Sequence, residues 1–379
     1  MARPLPVSLA HLTATRLGVN TAFRFAYPFL PAIARGLGVP LQRAGFLLSI
    51  RSAAGMATPL VVAAVGTVAR RIRLSVVALS LFSAGAVLVA SAAAYGPALV
   101  GFALIGLAKP VFDVAAQSYV AERTDYRRRA RVLSILELTW SGALLIGAPA
   151  AAWLVARHGW QAPFWALAGV GAAAALAVPL ALDRPAAREP GHRPSAGLSS
   201  SAVMLLAVTF LFSSAADTSL VAFGAWLEDR FGFTIAALGG AAALIGFSEL
   251  VAEGMALGFT DRIGKRRSVA IGLVVATGGF VALALTSDAL GAGLAALAVT
   301  ILGTEFTVVA AFPLASEMMP EARGRYLALI QVMMAAGRTA GAAVGPFLFT
   351  SHGFGANAAA SAGAACIALL LLLTLVRHE

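Results

Sequence analysis

Long apolar runs dominate this chain, and their length limits what they can become. A helix needs about 20 mostly apolar residues to cross the hydrocarbon of a bilayer. Runs of that kind, bounded by Pro, Gly and clusters of charge, fall near 9–34, 43–66, 74–94, 98–121, 131–155 and 162–182, numbered here as spans 1–6. Spans 7–12 follow near 202–227, 235–259, 268–287, 289–314, 325–349 and 354–376. Only 12% of the residues are charged and 60% are hydrophobic, whereas soluble domains average about 25% charged. A soluble chain of 379 residues would need a charged surface to stay dissolved. The expected class is therefore an all-α integral membrane protein with twelve transmembrane helices. The first run carries Arg16 and Arg24 where the apolar core of a signal peptide would be clean, so it reads as a span and not as a leader.

A polar stretch from Asp183 to Ser200, rich in Pro, Gly, Ser and Arg, divides the runs into two sets of six. The expected organisation is a bundle over 1–183, a linker over 184–200 and a second bundle over 201–379. The two parts repeat at an offset of 194 residues: Arg129-Ala130-Arg131 falls on Arg323-Gly324-Arg325, and His158-Gly159-Trp160 on His352-Gly353-Phe354. Gly38 falls on Gly232 and Glu137 on Gln331 in the same register. An even number of spans per repeat gives both repeats one orientation, the parallel arrangement of some transporters.

The loops divide the basic residues unevenly. With the N-terminus inside, the outer loops carry Arg35, Arg43, Arg157 and Arg230, and the far larger remainder falls on the inner side. By the positive-inside rule both termini are expected in the cytoplasm, which for a bacterial chain means the inner membrane. The same asymmetry accounts for the net charge of +11 without a nucleic-acid partner. The single cysteine, Cys366, forms no internal disulfide, and no histidine has a metal-ligand partner one helical turn away, so no metal site is expected. No phosphate-cradling Gly-x-x-x-x-Gly-Lys-Ser/Thr loop, Gly-x-Ser-x-Gly elbow or His-Glu-x-x-His motif is present, which argues against an ATP-driven pump or an enzyme and calls for no cofactor.

Eleven ionisable residues lie inside the spans. The first half holds Arg16, Arg24, Arg51 and Lys109 with Asp113 and Glu137; the second holds Asp217, Glu249, Glu253 and Glu305 with Arg338. Each would cost about 2.5–3.5 kcal/mol at a lipid-facing helix centre, so they are expected to face a polar interior. Several recur four apart, on one helix face. Arg16, Asn20 and Arg24 form a stripe continued by Tyr27, Pro28 and Pro31; Lys109, Asp113 and Gln117 form another; Gln331 and Arg338 share a face two turns apart. These residues, with Arg51 and Glu137, are the expected lining of a substrate cavity. The alternative is that some pair with each other and staple the helices, as Lys109 and Asp113 could at i,i+4. Glu249 and Glu253 stand one turn apart, and two carboxylates at low dielectric cannot both ionise cheaply. That pair, with Asp217 and Glu305, is the expected set for proton coupling; a fixed ion pair of one of these acids with Arg338 is the rival reading.

Between spans 8 and 9 the chain reads Gly258-Phe259-Thr260-Asp261-Arg262-Ile263-Gly264-Lys265-Arg266-Arg267. This resembles the signature loop of the major facilitator superfamily, Gly-x-x-x-Asp-Arg-x-Gly-Arg-Arg, with Leu257 where the first Gly would stand. The twin repeats, the linker and the Arg-x-Arg loops after spans 4 and 10 extend the resemblance over nearly the whole chain. It implies two six-helix bundles rocking about a central site, with spans 3, 6, 9 and 12 outside. None of those four spans carries a charge in its body. It also implies a cytoplasmic gate at Asp261, Arg262, Gly264, Lys265 and Arg266, with Glu122 and Glu317 as candidate partners; the plainer alternative is a solvated, topology-setting loop. The first repeat departs from the pattern, placing Thr67 and Arg70 where Asp261 and Gly264 stand in the second.

The resemblance implies a secondary active transporter. Gly142, Gly147 and Pro149 in span 5 partly match the Gly/Pro-rich stretch of family members that export, and Gly337, Gly341, Gly345 and Pro346 form a small-residue ridge in span 11. The expected function is a proton-coupled exporter of small organic molecules, acting as a monomer in the bilayer. An importer of an anionic solute held by Arg24, Arg51 and Lys109 is the alternative, and a non-transporting receptor or scaffold a remote one.

Overall fold

The computed structural model describes residues 5–56, 58, 68–182 and 197–376, and among them every regular element is a helix. Span 1 is split into α1 (Leu5–Arg24) and α2 (Leu30–Gly36), and α3 (Leu41–Gly55) opens span 2. Spans 3, 4 and 6 are α4 (Val68–Ala90), α5 (Tyr95–Arg123) and α9 (Ala162–Ala181). Span 5 runs through α6 (Tyr126–Glu137), α7 (Thr139–Gly142), a π-helical turn (Ala143–Gly147) and α8 (Ala148–His158). Spans 7–10 are α10 (Ser200–Phe231), α11 (Ile235–Ile263), α12 (Lys265–Thr286) and α13 (Leu290–Met318). In α14 (Arg323–Leu375) spans 11 and 12 are joined at Gly353, where φ is 80°. The end of span 2 and residues 183–196 of the expected linker lie outside the described residues.

Nine of the described helices are long and apolar enough to cross a membrane, with spans 11 and 12 counted as one. The repeat is written into the backbone. Gly38 and Gly232 have φ of 63° and 66°, and Gly159 and Gly353 have 85° and 80°. Each pair is separated by the 194-residue offset, at turns where a Cβ would be strained.

Among the described residues, two spans depart from a continuous helix, each at proline. Pro28 and Pro31 supply no amide hydrogen, and the chain turns from Phe25 to Phe29 before α2 begins. The buried carbonyl of Phe23 at this break accepts a hydrogen bond from Arg51 Nη1. In span 5 the ring of Pro149 would crowd the carbonyl four residues back, and the turn before it is widened to a π-helix. Pro110 lies inside an uninterrupted α5.

α4 packs against α5 and α9, and α12 against α13 and α14, away from the contact between the halves. The halves meet through α3 with α14, α8 and the π turn with α11, and α2 with α10. All three pairings lie towards the face that carries the turns at Gly38, Gly159, Gly232 and Gly353, called here the distal face. The opposite face carries the first described residues of α1 and the end of α14. Ser49 Oγ donates to the Thr339 carbonyl (2.6 Å) and Gln42 Nε2 to Thr350 Oγ1 (2.6 Å), sealing α3 against α14.

Candidate functional site

The charges within the spans sort into two groups, Glu137 alone among them being exposed. Within the first half, Arg16 Nε donates to Asp113 (3.0 Å), and its Nη1 and Nη2 donate to the two oxygens of Glu137 (3.0 and 3.1 Å). Lys109 completes this cluster by donating to Asp113, and Gln117 by donating to Glu137 (2.8 Å). Asn20 is buried beside it and donates to Thr139 Oγ1 (2.9 Å). Two cations face two carboxylates, so the cluster balances its own charge. Arg16 and Lys109, expected as substrate contacts, instead tie α1, α5 and α6 together.

The second group crosses between the halves. Arg24, only 1% exposed, grips Glu249 with both terminal nitrogens and donates to the Trp140 carbonyl as well (3.0 Å). Tyr27 donates its hydroxyl to Asp217 (2.7 Å), and Arg338 approaches the other Asp217 oxygen loosely, at 3.9 Å. Ser141 Oγ donates to Glu253 (3.3 Å). A bidentate guanidinium–carboxylate pair in a buried site is geometrically demanding, and this one joins α1 to α11. The expected proton-sharing pair of Glu249 and Glu253 is therefore corrected: Glu249 is committed to Arg24. The fixed ion pair read for Arg338 falls on Asp217.

These groups border a narrow cleft of about 50 Å³. Of the expected cavity set it is lined by Arg24, Tyr27 and Arg338, and of the expected proton set by Asp217, Glu249 and Glu305. Glu305 makes no hydrogen bond among the described residues and lies within electrostatic reach of Glu249, Glu253, Arg24 and Arg338. Gln331 is exposed and outside the cleft. Arg51 is also outside it: fully buried, it stacks 3.7 Å from the Phe23 ring centroid, and its Nε and Nη2 have no partner. Its expected place in the cavity is corrected to a cap on the break in span 1.

Sequence reasoning missed the apolar wall. Phe212, Leu220, Ile301 and Val308 line the cleft but read in the sequence as ordinary membrane residues. It missed Trp140 too, whose ring has Arg24 at 4.3 Å, Arg338 at 5.0 Å and Lys109 at 5.2 Å from its centroid. Ser213 lines the cleft, is 4% exposed, and has a hydroxyl without a partner. Its spacing of four from Asp217 was the available signal, because it places both on one face.

The signature loop closes on its own half. Gly264 has φ 95° and caps both α11 and α12. Lys265 pairs with Glu317 at the end of α13, and Arg266 Nη2 donates to the carbonyls of Leu372 (3.1 Å) and Leu373 (2.8 Å). Asp261 and Arg262 are exposed. Of the expected gate partners, Glu317 pairs with Lys265, itself one of the expected gate residues. The side chain of Glu122 lies outside the described residues.

The comparisons agree with this geometry. The chain resembles the inner membrane transport protein YdhP of Escherichia coli K12, with 28% identity over 187 residues, 49% of this chain and 47% of that protein. It resembles the uncharacterized MFS-type transporter YbcL of Bacillus subtilis 168 at 27% identity over 161 residues, 42% of this chain and 41% of that protein. The chain thus spans about half the length of the curated relatives it matches. Its fold is similar to that of a bacterial homologue of the human lysosomal transporter Spinster, in an inward-facing, unoccupied conformation. There the TM-score is 0.73 at 14% identity, covering 99% of this chain and 96% of that one. It is also similar to the human organic anion transporter MFSD10, with a TM-score of 0.68 at 18% identity over 98% of this chain and 100% of that one. The Major Facilitator Superfamily family model matches residues 13–303 and 205–379. A membrane-embedded, two-part helical fold with charged groups gathered at the seam, and that match over most of its length, show that the chain belongs to the Major Facilitator Superfamily of membrane transporters.

Proposed function

We propose that this transporter is a proton-coupled exporter of small organic molecules, working by alternating access between bundles over 1–183 and 201–379 joined by a cytoplasmic linker over 184–200. It works as a monomer in the inner membrane with both termini in the cytoplasm. The inner-membrane assignment draws on the name of the Escherichia coli relative, and the orientation on the loop charges. In this reading the halves close on the distal, periplasmic face, and the cleft opens to the cytoplasm to receive its cargo.

Glu305 carries the reading. Arg24 is committed to Glu249 and Arg338 leans on Asp217, which leaves Glu305 and Glu253 without cationic partners. A cleft-lining carboxylate with no cationic partner is the group best suited to pick up and release a proton there. A group that takes up and releases a proton at the seam of the halves couples the ion to their movement. Purified protein in liposomes tests this: substrate flux should follow the direction of an imposed pH gradient and become insensitive to it when Glu305 is replaced by Gln. Wild-type flux that ignores the gradient would falsify proton coupling.

The second reading, transport of an anion, is favoured by the three cations around Trp140. Each of them already faces a carboxylate: Arg24 faces Glu249, Lys109 faces Asp113 and Arg338 faces Asp217. An anion would have to displace one of these partners, so export of a molecule without that requirement is the better fit.

A further inference from the structure

We infer that a pocket on the face opposite the distal one, between the α11–α12 turn and the ends of α13 and α14, binds the headgroup of an anionic phospholipid. The site lies outside the cleft and is independent of what the protein carries. The pocket has a volume of about 550 Å³ and is lined by Lys265, Arg266 and Arg267 with Asp261 and Glu317. Pockets of about 300–1,000 Å³ take small ligands. Its three cations are unevenly answered. Lys265 pairs with Glu317, whereas Arg266 uses Nη2 on the carbonyls of Leu372 and Leu373, and its Nε, shielded from solvent, has no partner among the described residues. The three open α12, which has no acid in its first turn and no side chain capping its first amides. The amino end of a helix carries partial positive charge, so cations placed there repel it as well as each other. An anion relieves both.

The pocket's place in the fold identifies the source of that anion. α12 packs against α13 and α14, away from the contact between the halves, so its outward face meets the bilayer. Arg267, Ile271, Val274 and Val281 recur along that face at i, i+4, i+7 and i+14, and all four are exposed. Leu370 and Leu373 are exposed on the neighbouring end of α14, which Arg266 ties to α12. An apolar stripe is what any outer helix presents to hydrocarbon; this one begins at an arginine of the pocket. A phosphate held by the forked donors of Arg266 and Arg267 therefore has its acyl chains laid on Ile271, Val274 and Leu370, whereas a free phosphate leaves the stripe unused. Basic pockets between helices on the cytoplasmic side, which is the side of this one in the proposed orientation, suit anionic headgroups.

The repeat does not supply a second copy. At the 194-residue offset Arg266 falls on Ile72 and Glu317 on Arg123, so the counterpart lacks the arginine with the free Nε. One site per chain is expected, and Arg73, the exposed counterpart of Arg267, serves as a matched control.

The test uses the full-length protein, delipidated in detergent, and three probes: dioleoyl phosphatidylglycerol, dioleoyl phosphatidylcholine and inorganic phosphate. The two lipids share their chains and a phosphate and differ in net charge, and the third probe is the phosphate alone. Native mass spectrometry counts bound lipid over a titration. Wild-type protein should take up one phosphatidylglycerol about tenfold or more tightly than phosphatidylcholine, and its melting temperature should rise as the site fills. Arg267→Gln should weaken that binding about fivefold, and Arg266→Gln combined with Arg267→Gln about tenfold or more, while Arg73→Gln leaves it unchanged. Arg266 also caps the end of α14, so the single Arg267 variant keeps a readout should the double variant fold poorly. Equal binding of the two lipids overturns the inference. So does phosphatidylglycerol binding that survives both Arg267→Gln and the double variant, or that Arg73→Gln weakens as much. Inorganic phosphate that displaces the lipid at about equal affinity would assign the pocket to a soluble anion and sink the lipid site.

Discussion

Arg24 and Glu249 are 225 residues apart in sequence and share one buried bidentate contact between the halves. Removing one member leaves the other charged, buried and short of partners, which typically costs about 3–5 kcal/mol, whereas replacing both by apolar groups is often neutral. Arg24→Met and Glu249→Met should therefore each lower the melting temperature in detergent strongly, and the double variant should recover most of the loss. A double variant as unstable as the two losses added together would mean that the residues do not act as a pair. Tyr27→Phe is a milder probe. It strips Asp217 of its 2.7 Å hydrogen bond and leaves only the loose approach of Arg338, so about 1.5–3 kcal/mol of stability should go, the range for bonds to charged groups. The presence of these charges, and their confinement to the inner spans, was legible in the sequence because lipid excludes them. Their pairing was not legible. The i,i+4 rule reaches Lys109 and Asp113 within one helix, but nothing in a linear pattern brings Arg24 to Glu249 or Tyr27 to Asp217, which meet only when separate bundles dock.

At the scale of single elements, span 5 shows how local sequence shapes the seam. Pro149 forces the π turn at Ala143–Gly147, and the chain has already broken step at Leu138, where Thr139 Oγ1 turns back to the Leu136 carbonyl (2.6 Å). The break at Leu138 separates Glu137, which faces the first-half cluster, from Trp140 and Ser141, which face Arg24 and Glu253. Gly147 lies in the widened turn directly against the Thr21 side chain of α1, so a larger residue would overlap it. Gly147→Leu should cost about 1–3 kcal/mol by overpacking, read as a lowered melting temperature; Gly169→Leu, at a site with open space, is the matched control and should be near neutral. An equal effect at both positions would show that the loss comes from glycine replacement in general. Apolar run lengths gave the position of this span well. The π turn could not be read, since a proline in an apolar run is equally compatible with a straight helix, as Pro110 in α5 demonstrates.

Across the whole molecule, small residues let the halves close at the distal face. A Cβ on Gly246 in α11 would meet the Ser141 carbonyl and the Leu145 amide of span 5, and one on Gly45 in α3 would meet Pro346 in α14. These contacts join the two halves, so bulk at either place should hold the distal face apart without disrupting either bundle. The cross-half hydrogen bond of Gln42 to Thr350 at the same face offers a reporter. Cys366 is an exposed free thiol and is replaced by Ser first. Gln42→Cys with Thr350→Cys can then be joined by a short reducible bis-thiosulfonate reagent, and a protease site placed between residues 183 and 196 shows whether the halves stay linked after cleavage. If the transport cycle requires the distal face to open, as alternating access demands, cross-linked protein in liposomes should lose transport and regain it on reduction. Adding Gly246→Leu should lower the cross-linking yield, because the larger side chain props α11 away from span 5. Full transport by protein shown to be cross-linked would mean that cargo leaves by a route other than separation of α3 from α14, and the rocking of two bundles about this seam would have to be abandoned for this chain.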